Sequence, residues 1–212
     1  MKIALLNENS QASKNDVIYS CLKEVCDCKG YSIYNYGMNN DSDCNLTYVQ
    51  LGLLSGILLN SGAVDFIVTG CGTGQGAMLA LNSFPKVLCG LVVDPTDAYL
   101  FGQINDGNAV SIPFAKGFGW GSELTLKNIF NTLFSEKFGG GYPVERREPE
   151  QRNKKILDEV KLVTTNDMLT ILKNIDQEFL KNTINNKYFK ENFFDNCKDE
   201  EISNYLKKIL DI

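Results

Sequence analysis

The sequence contains no histidine. The commonest general acid–base side chain and the usual nitrogen ligand for zinc are both missing, so any proton transfer falls to Cys, Glu, Asp, Lys, Tyr or water. No Lys/Arg-rich run or basic face accompanies the formal net charge of −5, which argues against nucleic acid as a main partner. The longest apolar stretch, about Leu51 to Leu59, is interrupted by glycine and serine and is too short to span a bilayer. The first residues run straight into a strand rather than a leader. Seven cysteines, odd in number and irregularly spaced, fit free thiols in a reducing compartment better than a disulfide framework. The expectation is a cytoplasmic protein without a structural metal; Cys26-x-Cys28 is the only close pair.

What is present is an ordinary globular composition, 43% hydrophobic and 22% charged over 212 residues, organised around one stretch. Val64 to Thr69 is a β-branched, nearly continuous apolar run that reads as a buried parallel strand. Gly70, Gly72, Gly74 and Gly76 then permit a tight turn, and Ala77 to Leu81 reads as helix. Cys71 thus stands between a strand and a helix, where unpaired backbone N–H groups and the helix dipole favour an anion and push a thiol toward thiolate.

Other segments alternate in the same sense. Lys2 to Leu6 reads as a strand ending in Asn7-Glu8-Asn9-Ser10, followed by a helix to about Cys28 with Val17, Cys21, Leu22 and Val25 on one face and Gly30 as its stop. Tyr31 to Tyr36 is a second strand, Asn39 to Asn45 a polar loop, and Leu46 to Leu59 an apolar helix. Lys86 to Val93 is a fourth buried strand, with Asp94 and Asp97 as helix caps. Ala98 to Gln103 is a helix and Ala109 to Pro113 a fifth strand. Lys116 to Phe134 reads as helix, Phe138 to Pro143 as a flexible hinge. This alternation predicts an α/β fold, a Rossmann-like three-layer sandwich with a five-stranded parallel sheet. Residues 1–150 are expected to form that domain. Residues 151–212, with helical periodicity at Met168 to Phe179 and Ile202 to Ile209, are expected to be a helical extension packing on the domain or on a dimer partner. Ligands in such folds bind outside the carboxyl ends of the strands, so Asn7 to Asn9, Gly70 to Gly76, Asp94 to Asp97 and Asn105 to Asn108 are expected in one cleft.

Two chemistries fit the central turn. Gly72-x-Gly74-x-x-Ala77 with Asp94 is a weakened dinucleotide fingerprint, but it follows the third strand and leaves the cysteine without a role. A thiolate beside a ring of N–H donors better suits removal of a proton α to a carbonyl, with the enediolate oxygen held by glycine amides. A non-catalytic sugar-binding protein is a third reading.

The ordered set Cys71-Gly72-Thr73-Gly74-x-Gly76, Asp94-Pro95, Asn105-Asp106-x-Asn108 and Phe138-x-Gly140-Gly141 resembles the ribose 5-phosphate isomerase B and galactose 6-phosphate isomerase family over roughly residues 1 to 150. The resemblance implies an aldose–ketose isomerase without a cofactor, active as a homodimer or homotetramer with sites at the subunit interface. It implies Cys71 as the base, Thr73 as a hydroxyl assisting proton transfer, and the amides of Gly72, Gly74 and Gly76 as an anion hole. It places Glu8, Asn9, Tyr48, Asn105 and Arg146 at substrate-binding positions. Where the family has Asp-His after the first strand this chain has Glu8-Asn9, where it has a ring-opening histidine it has Ile104, and Tyr142 replaces one of two phosphate-binding arginines. The helical tail and the opening Asn7-Glu8-Asn9-Ser10-Gln11 resemble a longer branch, the 4-deoxy-L-threo-5-hexosulose-uronate ketol-isomerases. An open-chain uronate needs neither ring opening nor a full phosphate clamp, and Arg146 can pair with its carboxylate. A sugar phosphate is the alternative substrate.

Overall fold

The computed structural model describes residues 1–43 and 45–212; Cys44, one of the seven cysteines and part of the expected polar loop, lies outside the described residues. Five strands, β1 (Lys2–Leu6), β2 (Ser32–Asn35), β3 (Phe66–Cys71), β4 (Cys89–Leu91) and β5 (Ala109–Pro113), pair in parallel in the order β2-β1-β3-β5-β4. Because β1, β3 and β5 are covered on both faces, all of their residues except Lys2 are buried, which is why they read as unbroken apolar runs.

The pleat sends alternate residues into two cores. Ile3, Leu5, Phe66, Val68 and Val110 face α1 (Asn15–Lys29) and α5 (Ser122–Leu133). Ala4, Leu6, Ile67 and Ala109 face α2 (Tyr48–Asn60), with α3 (Gln75–Asn82) alongside. Helix α2 is apolar all round, as a helix must be when it is buried on both sides. Its outer side is covered by tail helices α7 (Met168–Asn174), α8 (Gln177–Ile184), α9 (Lys187–Asn196) and α10 (Glu200–Leu210), which add Leu172, Leu180, Phe189, Phe193 and Leu206 to the core that holds Leu54 and Ile57.

Local chemistry sets the boundaries. Gly30 takes φ 68° and closes α1, with its N–H on the Asp27 carbonyl and the Tyr31 N–H on that of Cys26. Thr47 and Gln50 form a capping box that starts α2 at Tyr48, so Leu46 precedes the helix rather than opening it. Asp94 caps α4 (Pro95–Leu100) through the Asp97 N–H, and Asp97 returns a bond to the Val93 N–H.

Several expectations need correction. A 3₁₀ turn, Asn9–Lys14, precedes α1 and rephases it, so Ile18, Cys21, Leu22, Val25 and Cys26 point inward and Val17 is exposed. The fourth strand shrinks to three residues at the sheet edge, because Lys86 turns at φ 57° and, with Ala109 of β5 on one side of Cys89, only the Asn82 side chain takes up its N–H and carbonyl. Helix α4 begins at Pro95 and ends in a π-helical turn, Phe101–Asn105. Residues 116–121 are turns, with Gly117 and Gly121 at positive φ, and α5 begins only at Ser122. The periodicity from Met168 to Phe179 is two helices, broken where Asp176 caps α8.

Candidate active site

The sheet changes winding direction between β1 and β3: β1 leads outward to β2 on one side, and β3 leads to β4 at the far edge on the other, with β5 returning between them. Loops diverge at such a point and leave a crevice at the carboxyl ends. Leu6 pairs with Thr69, so the chain leaves β1 toward Glu8 and reaches Cys71 in β3 at the same end of two adjacent strands.

Cys71 ends β3 opposite Pro113 and is 8% exposed. Its carbonyl accepts the Phe114 N–H at 3.0 Å, and the Gly72 carbonyl accepts that of Ala115 at 3.0 Å, which pins the start of the turn to the end of β5. Gly74 stands at φ 74° as the residue before α3, and its carbonyl accepts from Ser111 Oγ at 2.6 Å. A β-carbon there would meet Leu91 Cδ1 at 2.6 Å. Gly70 is required for a different reason: its β-carbon would fall 2.2 Å from the Ile112 carbonyl oxygen and 2.5 Å from the Phe114 ring. Thr73 is exposed and its Oγ1 lies 3.4 Å from the Gln75 N–H. The first N–H groups of α3 have no intrahelical acceptor, so the turn offers donors to an anion.

Glu8 is 3% exposed, and both its carboxylate oxygens accept from Ser10, from the N–H at 2.9 Å and from Oγ at 2.5 Å. It caps the 3₁₀ turn that follows β1. Asn9 is exposed and bonds Asn45 Oδ1 through Nδ2 at 2.7 Å. Tyr48, 45% exposed at the first turn of α2, lays its ring over Gly76. Cys71, Thr73, Glu8, Tyr48 and the glycines are thus gathered at one end of the sheet.

Asn105 and Arg146 are not with them. Asn105 precedes β5, and Asn108 beside it is fixed at the amino ends of the strands: its Oδ1 accepts the Leu88 N–H, its Nδ2 donates to the Lys86 carbonyl, and its carbonyl accepts the Ile67 N–H. Cys71 stands at the other ends, a strand length away, about 13 Å for five residues. Asp94 to Asp97 does lie at the carboxyl ends, but beyond the edge strand, two strands from β3. Of the four polar clusters expected in one cleft, two meet. Near Asn105 the chain forms a second cleft of about 580 Å³, lined by Tyr99, Gln103, Phe138, Tyr142 and Arg147. The expected hinge is held there: the N–H groups of Gly139, Gly140 and Gly141 donate to the Gly102 carbonyl, to Gln103 Oε1 and to the Gln103 carbonyl. Arg146, exposed in the short turn Val144–Arg146, leads from this cleft into α6 (Arg147–Thr164).

A family model described as ribose/galactose isomerase matches residues 3–151, and one described as ribose-5-phosphate isomerase matches residues 163–209. The chain belongs to the ribose/galactose isomerase family. It is 60% identical to a 4-deoxy-L-threo-5-hexosulose-uronate ketol-isomerase solved with a tartrate, over the whole of both chains, with a TM-score of 0.98. It is 49% identical to a ribose-5-phosphate isomerase from Vibrio parahaemolyticus, over 99% of each chain, with a TM-score of 0.96. A ribose 5-phosphate isomerase from Thermotoga maritima shares the fold at 22% identity, covering 74% of this chain and 97% of its own, with a TM-score of 0.58.

For a ribose/galactose isomerase with no imidazole, the charged and polar groups beside the turn matter most, and the sequence reading missed two of them. Gln11, 5% exposed, lies over Gly72, and Lys14 reaches across to the Phe114 carbonyl at 2.6 Å and stands 4.6 Å from the centre of the Phe118 ring. The run Ser10-Gln11-Ala12-Ser13-Lys14 directly after a strand's carboxyl end was the signal, hidden by reading it as the first turns of α1.

Proposed function

We propose that this isomerase interconverts the open-chain uronate 4-deoxy-L-threo-5-hexosulose uronate and its ketol isomer, with Cys71 as the base. The reading rests on 60% identity over the full length to a ketol-isomerase of that substrate. The thiolate of Cys71 removes the proton from the carbon next to the carbonyl, and electrons move onto the carbonyl oxygen to give an enediolate. The N–H groups of Gly72, Gly74 and Gly76 stabilise that oxygen, worth about 3 kcal/mol per well-placed donor. Thr73 carries a proton between the two oxygens, and Cys71 returns its proton to the neighbouring carbon, so no redox partner is consumed. Glu8, Asn9 and Tyr48 bound the substrate. Ile104, where the family's ring-opening histidine is expected, agrees with a substrate that reacts in open form.

The separation of Asn105 and Arg146 from Cys71 supports assembly of the site from two copies, each lending the second cleft to the other's turn. The surface of α6 supports the same reading: Ile156, Leu157, Val160 and Val163 are each about half exposed or more, an apolar strip of the kind that marks an interface. We place the enzyme in the cytoplasm, with which its free thiols agree.

The test is NMR in D₂O with the uronate, ribose 5-phosphate and galactose 6-phosphate in parallel. Conversion of the uronate with solvent deuterium entering the product, lost in Cys71→Ala, is expected. Conversion of a phosphate sugar alone overturns the substrate, and undiminished turnover by Cys71→Ala overturns the base.

A further inference from the structure

The loop after β1 carries a chain of hydrogen bonds with a single direction. Lys14 Nζ donates to Gln11 Oε1 at 2.7 Å, Gln11 Nε2 donates to Ser10 Oγ at 2.9 Å, and Ser10 Oγ donates to Glu8 Oε1. An ammonium has only donors and a carboxylate only acceptors, so the two ends fix the polarity of everything between them. The Gln11 carboxamide must turn its oxygen to Lys14 and its NH₂ to Ser10 and the Gly72 turn. There Nε2 lies 3.8 Å from the point where a β-carbon on Gly72 would stand, beside the residue that follows Cys71. One N–H serves Ser10; the second has no acceptor among the described residues. Lys14, half-buried, forms no ion pair among the described residues; neutral carbonyl oxygens and the Phe118 ring surround its ammonium. The charges facing this spot are the Lys14 cation and, at the far end of the chain, the Glu8 carboxylate, both of whose oxygens are occupied by Ser10.

We propose that Gln11 is a specificity-determining, substrate-binding residue that donates its free N–H to a carboxylate oxygen of an acidic open-chain sugar seated over the Gly72 turn, and that Lys14 is the positioning residue that keeps the donor facing it. The proposal rests on the uronate reading above. It adds a carboxylate contact on the same chain as Cys71, separate from Arg146. A buried donor held by a charge costs no reorganisation when the anion arrives, and its loss leaves the anion without that partner.

The decisive variant is Gln11→Glu, which keeps the side-chain length, retains a partner for Lys14, and replaces the donor with a negative charge. It is expected to fold with a Tm at or above that of the parent. It should raise KM for the uronate by at least about tenfold while changing kcat much less, since the contact is made in ground and transition states alike. Lys14→Met should raise KM in the same way by freeing the carboxamide to turn, and Lys14→Arg should restore it to within about threefold of the parent. Calorimetric titration with tartrate, and with threitol as the same skeleton without carboxylates, reads binding apart from turnover. The parent is expected to bind tartrate and not threitol, and Gln11→Glu to lose tartrate. If the parent does not convert the uronate, the reading of function fails and the tartrate titration still decides Gln11. If the parent converts the uronate while Gln11→Glu keeps both KM and tartrate affinity, this inference alone is overturned. Should Gln11→Glu not fold, Gln11→Asn, which withdraws the donor by one methylene, must show the same rise in KM, and an unchanged KM overturns the proposal.

Discussion

The ring of Tyr48 lies against Gly76, its Cδ2 3.3 Å from the point a β-carbon on Gly76 would occupy. Gly76 is the second residue of α3 and has no positive φ, so alanine there suits the helix and adds up to about 1 kcal/mol of stability. The new methyl displaces only the half-exposed ring. Gly76→Ala should therefore keep or raise Tm while lowering kcat/KM, and Tyr48→Ala in the same chain should recover none of the activity if the ring contacts substrate. Differential scanning calorimetry with steady-state kinetics checks both halves.

Gly74→Ala should behave in the opposite way. Its φ of 74° and the 2.6 Å approach to Leu91 Cδ1 give a methyl no room, and the Ile112 carbonyl carbon is 3.1 Å away. A loss of about 2 to 4 kcal/mol, seen as a lower urea midpoint, is expected from strain and crowding together. An unchanged midpoint would contradict the account of the turn.

How much of this was legible beforehand depends on which forces wrote the residue in question. β1, β3 and β5 were legible because two-sided burial demands long apolar runs, and the caps at Gly30 and Asp94 because their chemistry is local. The fourth strand reads too long because Val87 and Val92 are buried on either side of its three residues, and the Val92 N–H still reaches the Ser111 carbonyl of β5. Helical periodicity turns Val17 inward because nothing local marks Asn9 to Lys14 as 3₁₀ rather than α, and that one difference rotates the whole of α1. Residue type alone suggests the crevice for Asn105; chain direction puts a loop that precedes a strand at the other end. Lys14 acquires its meaning only through Phe114, a hundred residues away.

Alkaline pH should destabilise the fold through its buried thiols. Burial pushes Cys26 up to about 11 and Cys89 up to about 12, against an ordinary value of 9.0, and Cys21 and Cys197 shift the same way. Between pH 9 and these values the folded chain holds protons that the unfolded chain has released. Stability is thus fully present below pH 9 and falls as pH rises toward 12, by up to about 1.4 kcal/mol per pH unit for each thiol. Urea unfolding at pH 8, 9.5 and 10.5 should show the decline, and Cys89→Ala should make it shallower. A flat profile would rule the thiols out as its cause.

The proposed two-copy site allows complementation. Cys71→Ala damages one half and Arg146→Ala the other, so a mixed two-fold assembly of the two holds one intact site. The mixed dimer isolated through both tags should run at about half the parental rate, one intact site of two, from two poorly active preparations. Co-expression with distinct tags, followed by tandem purification and assay, reads it; activity no higher than either variant alone would place Arg146 outside the site.

The helix that begins at Tyr48 is also the one that the last four helices cover, so tail residues hold in place the wall that carries Tyr48. A chain ending near Asn166 would keep every group named in the chemistry and still lose its crevice as α2 came loose from the sheet. Natural selection acting on turnover would accordingly preserve the tail's Leu180 and Phe189 as strictly as it preserves the turn. An inherited change there would register as a metabolic defect with an intact list of active-site residues.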